Sequence, residues 1–328
     1  MSPLKIILLF ILLLVVGLSY YLFRPLSQVP VPADFNCLEI SEGSFVSKDS
    51  LPAPNIIYGM GLTYAKHLEE TASEYNPEEI PPIFTKKLHS LTTDGEKISL
   101  PKQEELLRAA GELEEGVVAK LTSDFDEISP MLDYEVELGF VLLEDINMDE
   151  LSGDDYIPQL GFFIANDLSA RAIAVLGEGT EQRYEYWGIS KSFQGFMPMS
   201  EQIWIPNAPT ANSIPCIKIK TLVNGEIRQS QSTSDMMYTP LQMLRFIHQK
   251  YPEATLRKGD MILTGTPGGV AFATPRFLVR MANLLGFDRY KKLSTKLSGD
   301  LSAMLKAGDE VEVRGEGLGQ VRNEIVGG

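Results

Sequence analysis

Three kinds of hydrophobic pattern follow one another along this chain. The first is continuous. Residues Ile6 to Phe23 carry no charge over 18 positions and are bracketed by Lys5 and Arg24. At ~1.5 Å per residue, such a run is just long enough to cross ~30 Å of hydrocarbon as a helix. Bulky apolar residues continue through Tyr20, Tyr21, Leu22 and Phe23, past the Gly17-Leu18-Ser19 step at which a signal peptide would be cut. Tyrosines also suit a membrane interface. The run predicts an N-terminal transmembrane helix within residues 1–24, with a cleaved signal peptide as the rival reading. It therefore predicts a single-pass, membrane-anchored protein. Lys5 and the α-amine outweigh Arg24 and bias the N-terminus inward, leaving the side of the membrane open. Pro25, Pro30 and Pro32 then make a stiff spacer in a linker segment, residues 25–54.

The second pattern has a period of two. In residues 134–142, Tyr134, Val136, Leu138, Phe140 and Leu142 alternate with Glu135, Glu137, Gly139 and Val141, which predicts a strand. Residues 217–228 alternate around Asn224-Gly225, a two-residue hairpin signal. Lys258-Gly259-Asp260 turns into a strand from Met261 to Thr264, and a last hairpin fills 309–326. The third pattern is helical. Thr239 caps a helix that starts at Pro240 and presents Leu241, Leu244 and Ile247 on one stripe. Residues 102–120 predict an acidic helical insertion. Residues 276–306 predict a basic amphipathic one, with seven basic residues against two acidic. Its Arg276, Arg280, Arg289, Lys291, Lys292 and Lys296 would face anionic headgroups, or else solvent. Strands followed by isolated helices, without βαβ alternation, give a β-rich α+β class with an antiparallel or mixed sheet. The main domain covers residues 55–328.

Composition narrows the chemistry. A formal charge of −15 argues against a nucleic-acid partner. Cys37 and Cys216 are too few for a disulfide framework or a structural zinc site, and their spacing does not point to a bridge. With only three histidines, His67, His89 and His248, carboxylates must carry most of the acid–base and metal chemistry.

Several segments, taken in order, carry a resemblance. They are Tyr58-Gly59-Met60-Gly61-Leu62-Thr63-Tyr64-Ala65-Lys66-His67-Leu68-Glu69-Glu70, Asp133-Tyr134-Glu135-Val136-Glu137-Leu138, Gly161 through Arg171, Lys191-Ser192-Phe193, Val223-Asn224-Gly225-Glu226, Thr233-Ser234-Asp235-Met236, Leu263-Thr264-Gly265-Thr266-Pro267 and Gly317-Leu318-Gly319. Together they resemble the fumarylacetoacetate hydrolase superfamily, close to its acylpyruvate hydrolases and oxaloacetate decarboxylases, over roughly residues 55–326. The resemblance implies a mixed β-sandwich roll with helical insertions, a homodimer, a Mg2+ or Mn2+ site, and chemistry on a small 2-oxo acid or 1,3-dicarbonyl.

On that resemblance Glu135, Glu137 and Asp167 are the metal ligands. Two glutamates two apart on a strand point the same way, ~6.6–6.8 Å apart along the chain. Alone, they would more simply be a solvated strand face, and Asp167 a turn residue. Three carboxylates without Cys or His favour Mg2+ or Mn2+, with Ca2+ as a further candidate, over zinc. Lys191 would neutralise an enolate or the substrate carboxylate, although a loop lysine is usually only solvated. Arg171 and Thr233 are implied substrate contacts, whose plainer readings are a surface ion pair and a cap. Thr266 and Gly268 lie on a glycine-rich turn whose N–H groups can cradle an oxyanion. His67 and Glu70, one helical turn apart, would belong to a lid and activate a water.

The chain departs from the family pattern after Arg171, where Asp-x-Gln is usual and Ala172-Ile173-Ala174 stand. Thr63 replaces the usual Asn, and Lys87 a frequent Pro. The first expectation is hydrolysis of a C–C bond in an acylpyruvate. The alternatives are decarboxylation, isomerisation or hydration through the same enolate, and a degenerate 2-oxo-acid-binding module without turnover.

Overall fold

Strand Val136–Leu142 lies at the centre of the molecule, and every residue in it is buried. The computed structural model describes residues 3–23, with side chains from residue 11, and residues 30–70, 75–147, 150–151, 153, 156–272 and 302–328. Among them, a nine-stranded mixed sheet has the spine Gly43–Ser47, Gln202–Pro206, Leu160–Asn166, Val136–Leu142, Met261–Leu263, Ile57–Met60 and Ile83–Lys86. A five-stranded sheet carries the two hairpins, 218–232 and 310–326. This is the expected mixed α+β roll.

The expected alternation in 134–142 is real, but neither face is solvated. Val136, Leu138, Phe140 and Leu142 pack with Phe162, Ile164 and Trp204. On the other face Val141 packs with Phe163, Ala165 and Leu263. Gly139 makes room there for a ring, since an added Cβ would sit 2.3 Å from Phe163. The strand begins at Val136, so Glu135 lies just outside it, in the gap after Leu132–Asp133.

The other local signals behave as turn and cap chemistry requires. Asn224 and Gly225 take φ of +52° and +81°, the left-handed pair of a tight hairpin. Thr239 and Gln242 cap each other at the start of helix Pro240–Lys250, with Gln242 N to Thr239 Oγ1 at 3.2 Å and Thr239 N to Gln242 Oε1 at 2.8 Å. The acidic insertion is not one helix but two, Gln103–Gly111 and Val117–Asp124. Gly116, with φ of +85°, breaks it.

Three expectations need correction or restriction. The apolar N-terminal run is helical over Pro3–Phe23. Among the described residues, however, no helix is long and apolar enough to cross a membrane. Crossing takes ~20 consecutive apolar residues, and no described helix supplies such a stretch. The transmembrane helix, the membrane as a partner through it, and the single-pass location are therefore withdrawn. Second, Cys37 and Cys216 do form a disulfide, across a sequence separation of 179. Strand Asn36–Leu38 pairs in parallel with Ser213–Pro215, which brings the two cysteines together. Third, Arg276, Arg280, Arg289, Lys291, Lys292 and Lys296 of the basic segment lie outside the described residues.

Candidate metal centre

Strand register builds the centre. Val136 pairs with Asn166 and Glu137 with Ala165, so the two chain ends beyond the pair bring Glu135 beside Asp167. Asp167 N donates to Glu135 O at 2.8 Å, and Glu135 N donates to Asn166 Oδ1 at 2.9 Å. Leu263 pairs with Gly139 on the other side. The turn after it delivers Gly265 N to Glu137 Oε2 at 2.7 Å. One carboxylate oxygen from each of Glu135, Glu137 and Asp167 lies within 4.8 Å of the others, and all three side chains are buried.

Cations surround this cluster. Lys191, at the C-terminal end of helix Arg183–Ser190, donates to Glu135 Oε2 at 2.8 Å and Asp167 Oδ2 at 2.6 Å. Lys86 bonds the other Asp167 oxygen and donates to Phe196 O at 3.2 Å. Arg171 bonds Glu135 through one nitrogen, and its Nε donates to Asp133 Oδ2 at 2.8 Å. Asp133 in turn accepts from Ala271 N at 2.8 Å and Phe272 N at 3.1 Å, tying down the chain beyond the glycine-rich turn.

Protonation follows from this arrangement. Burial alone would raise Glu135, but Lys191 and Arg171 outweigh it and hold the carboxyl at about 2. Burial and the neighbouring Asp167 push Glu137 well above the carboxylate range. Burial would lower Lys191, but Asp167 and Glu135 raise it. Burial lowers Lys86 despite Asp167. His67 is held at about 4 by burial, with Arg171 and Lys191 adding to the effect against Glu135. Its imidazole is therefore neutral at physiological pH.

These residues fit a divalent ion. The donors are all hard oxygens, and Glu137 is a buried carboxyl whose negative form is only partly compensated, by Gly265 N and Lys191. Mg2+ or Mn2+ is the cofactor that such a set takes.

His67 and Glu70 lie on helix Ala65–Glu70, with His67 buried. Glu70 Oε2 accepts from Gly269 N at 2.7 Å. A Cβ on Gly268 would approach Lys66 Cγ at 2.7 Å and Glu70 Oε1 at 2.8 Å, so that glycine lets the helix sit on the turn. Thr266 Oγ1 donates to Val136 O at 3.0 Å and accepts from Gln229 Nε2 at 2.9 Å. Thr233 donates its hydroxyl to Pro215 O at 2.7 Å and accepts from Ile217 N at 3.0 Å, the two neighbours of Cys216. Ala172, Ile173 and Ala174 are all buried, the first two among apolar side chains.

Sequence reasoning did not single out Lys86, Asp133 or Gln229. Lys86 had a readable signal, a lysine in phase with the buried positions of an apolar strand. Gln229 had none. Its Oε1 accepts from Val136 N at 3.0 Å and Thr221 Oγ1 at 2.6 Å, partners visible only in three dimensions.

Known proteins resemble this chain in sequence and fold. The sequence pattern of the fumarylacetoacetate (FAA) hydrolase C-terminal domain matches residues 56–326. An oxaloacetate tautomerase of Bacillus subtilis is 30% identical over 69% of this chain and 64% of its own length. A mitochondrial oxaloacetate tautomerase of Bos taurus is 27% identical over 92% of this chain and 73% of its own. A 4-hydroxyphenylacetate degradation bifunctional isomerase/decarboxylase of Escherichia coli is 27% identical, and the chain spans 48% of its length. Among solved structures, the fumarylpyruvate hydrolase of Pseudomonas aeruginosa in complex with Mn2+ and pyruvate superposes with a TM-score of 0.54 at 18% identity. That match covers 93% of this chain and 99% of the other.

Proposed function

The chain belongs to the fumarylacetoacetate hydrolase family, a family of enzymes, and from that premise we propose that it acts on a small 2-oxo acid through its enolate, with Mg2+ or Mn2+. The observation that carries this reading is Lys191. Its buried ammonium stands between Glu135 and Asp167, at 2.8 and 2.6 Å, inside a cluster of hard-oxygen donors.

Glu135, Glu137 and Asp167 would hold the divalent ion, which would supply Lewis-acid polarisation of a carbonyl oxygen. Lys191 adds fixed positive charge where negative charge develops on that oxygen. Arg171 is committed to Asp133 and Glu135, so it orients Glu135. His67, neutral above about 4, presents an unprotonated imidazole at neutral pH and is the base we assign. Glu70 fastens the helix carrying His67 to the Gly269 turn.

Within this chemistry we favour proton transfer between carbon and oxygen, as in keto–enol tautomerisation or isomerisation. Two relatives named as oxaloacetate tautomerases support it. So does the stretch Ala172-Ile173-Ala174, which adds no further acid–base pair. Hydrolysis of an acylpyruvate C–C bond is the second reading. It is favoured by a neutral His67 one helical turn from Glu70, a pair able to activate water. The test is a panel of oxaloacetate, acylpyruvates and unsaturated 2-oxo acids with Mn2+ or Mg2+, followed by enol absorbance and product analysis, with Glu135→Gln as control. Loss of enol signal without cleavage supports tautomerisation. Cleavage products support hydrolysis. No turnover of any member sinks both and leaves a binding module.

A further inference from the structure

One buried polar group near the centre takes no part in holding the metal cluster or the His67 helix. Tyr64 has no solvent exposure. Among the described residues its hydroxyl has no hydrogen-bond partner. Such a group is uncommon in a folded protein, because burying a donor unpaired forfeits its bonds to water.

Its location explains what could pair it. The Tyr64 carbonyl accepts from Leu68 N at 3.1 Å, opening the helix that carries His67. Tyr64 also bridges to Met236, in the segment just after Asp235. The residue before it, Thr63, donates to Thr264 O at 2.6 Å. A Cβ on Gly265 would sit 2.2 Å from Thr63 Oγ1, and Gly265 N is the donor to Glu137. Tyr64 thus stands at the seam where the His67 helix, the Thr264–Gly265 turn and the Asp235 segment meet. Burial and the charges of Glu137 and Asp235 keep its phenol well above the usual range. It is a neutral donor, close to a metal-competent carboxylate and not bonded to it. Two residues that would carry polar groups in the family pattern, Ala172 and Ala174, carry none here.

We propose that Tyr64 is a substrate-binding donor, its hydroxyl bonding an oxygen of the 2-oxo acid that enters beneath the His67 helix. This rests on the 2-oxo-acid reading. Without ligand the hydroxyl is unpaired, and with ligand it gains a bond. Removing it should therefore cost binding and spare the fold.

The test uses the full chain loaded with Mn2+, titrated calorimetrically with pyruvate, beside thermal melts without ligand. Tyr64→Phe keeps the ring and removes the donor. Expected are pyruvate binding weakened about tenfold or more, the loss of one ligand hydrogen bond, unchanged Mn2+ affinity, and a melting temperature equal to or above the parent's. Unchanged pyruvate affinity in a variant that still binds Mn2+ overturns the inference and leaves the functional reading intact. A variant that melts below the parent or fails to fold also overturns it, because the hydroxyl then already has a partner in the free protein. Failure of the parent itself to bind pyruvate or oxaloacetate overturns the functional reading, and the inference falls with it.

Discussion

Lys191 Nζ lies 2.6 Å from Asp167 Oδ2, with both side chains removed from solvent. The same ammonium reaches Glu135, so one cation holds two of the three carboxylates in register. Breaking a buried pair by removing one partner costs ~3–5 kcal/mol, because the other charge is left buried. The Coulomb gain of the pair itself is partly offset by desolvation, so stability alone does not explain its presence. The proposed role of meeting the charge of a developing enolate would explain it.

Lys191→Met should accordingly lower kcat by roughly 10²–10³-fold, the scale for losing one preorganised partner of a developing oxyanion. Mn2+ affinity should change far less, since Lys191 is not a ligand. Steady-state kinetics and calorimetry on the same preparation check this. Parallel loss of turnover and metal affinity would make Lys191 a structural counter-ion only.

His67 predicts a pH dependence of stability. An unfolded imidazole protonates near 6.5, while burial holds His67 neutral in the fold down to about 4. Between those values the unfolded chain binds the extra proton. Stability is therefore full above 6.5 and is lost as pH falls towards 4, by up to about 3 kcal/mol. Glu135, held at about 2, adds a second loss as pH falls from 4.5. Thermal melts at pH 7 and pH 5 should separate further for the parent than for His67→Leu. Equal separations would place the acid sensitivity elsewhere.

The Cys37–Cys216 bridge closes a loop of 179 residues. In the chain-entropy account a loop of that length is worth ~5 kcal/mol. Cys37 is exposed, so a dithiol can reach it. Dithiothreitol should lower the melting temperature of the parent by roughly 10 °C, taking ~2–4 °C per kcal/mol for a large domain. The Cys37→Ser, Cys216→Ser double variant should be indifferent to reductant. A parent equally indifferent would mean the thiols are free in solution.

Much of this fold was readable where the signal is local. Asn224-Gly225 and the Thr239–Gln242 box specify their own geometry within four residues. The features that were not readable are those set by distant partners. Nothing in 134–142 says that both of its faces are covered, because that depends on Phe163 filling the space left by Gly139. Lys86 is separated from Asp167 by 81 positions, and its pairing exists only through the sheet order. Cys37 meets Cys216 only because a short parallel strand pair brings the linker back to the domain. In the centre itself, the carboxylates were legible through the family motifs. The surrounding cations, Lys86 above all, emerged only with the structure.

Glu137 supplies the last prediction, which concerns the metal. Burial, and after it the charge of Asp167, hold its carboxyl well above the usual carboxylate range. The raised value has a definite sign. The unfolded chain ionises this group near 4.5 and the metal-free fold resists ionisation, so its contribution to stability is lost as pH rises. A divalent ion reverses that, because a coordinating carboxylate must be deprotonated and binding releases the proton. Mn2+ affinity should therefore strengthen from pH 5 to pH 8, by up to tenfold per pH unit while one proton is displaced. Mn2+ should also raise the melting temperature more at pH 8 than at pH 6. Calorimetry in buffers of different ionisation heat counts the released protons. Glu137→Gln removes both the ligand charge and the proton, so it should bind more weakly and with a flat pH profile. Parent affinity that does not vary with pH, with no proton released, would mean that Glu137 is already ionised in the metal-free protein and that the cations around Glu135 and Asp167 compensate it as well.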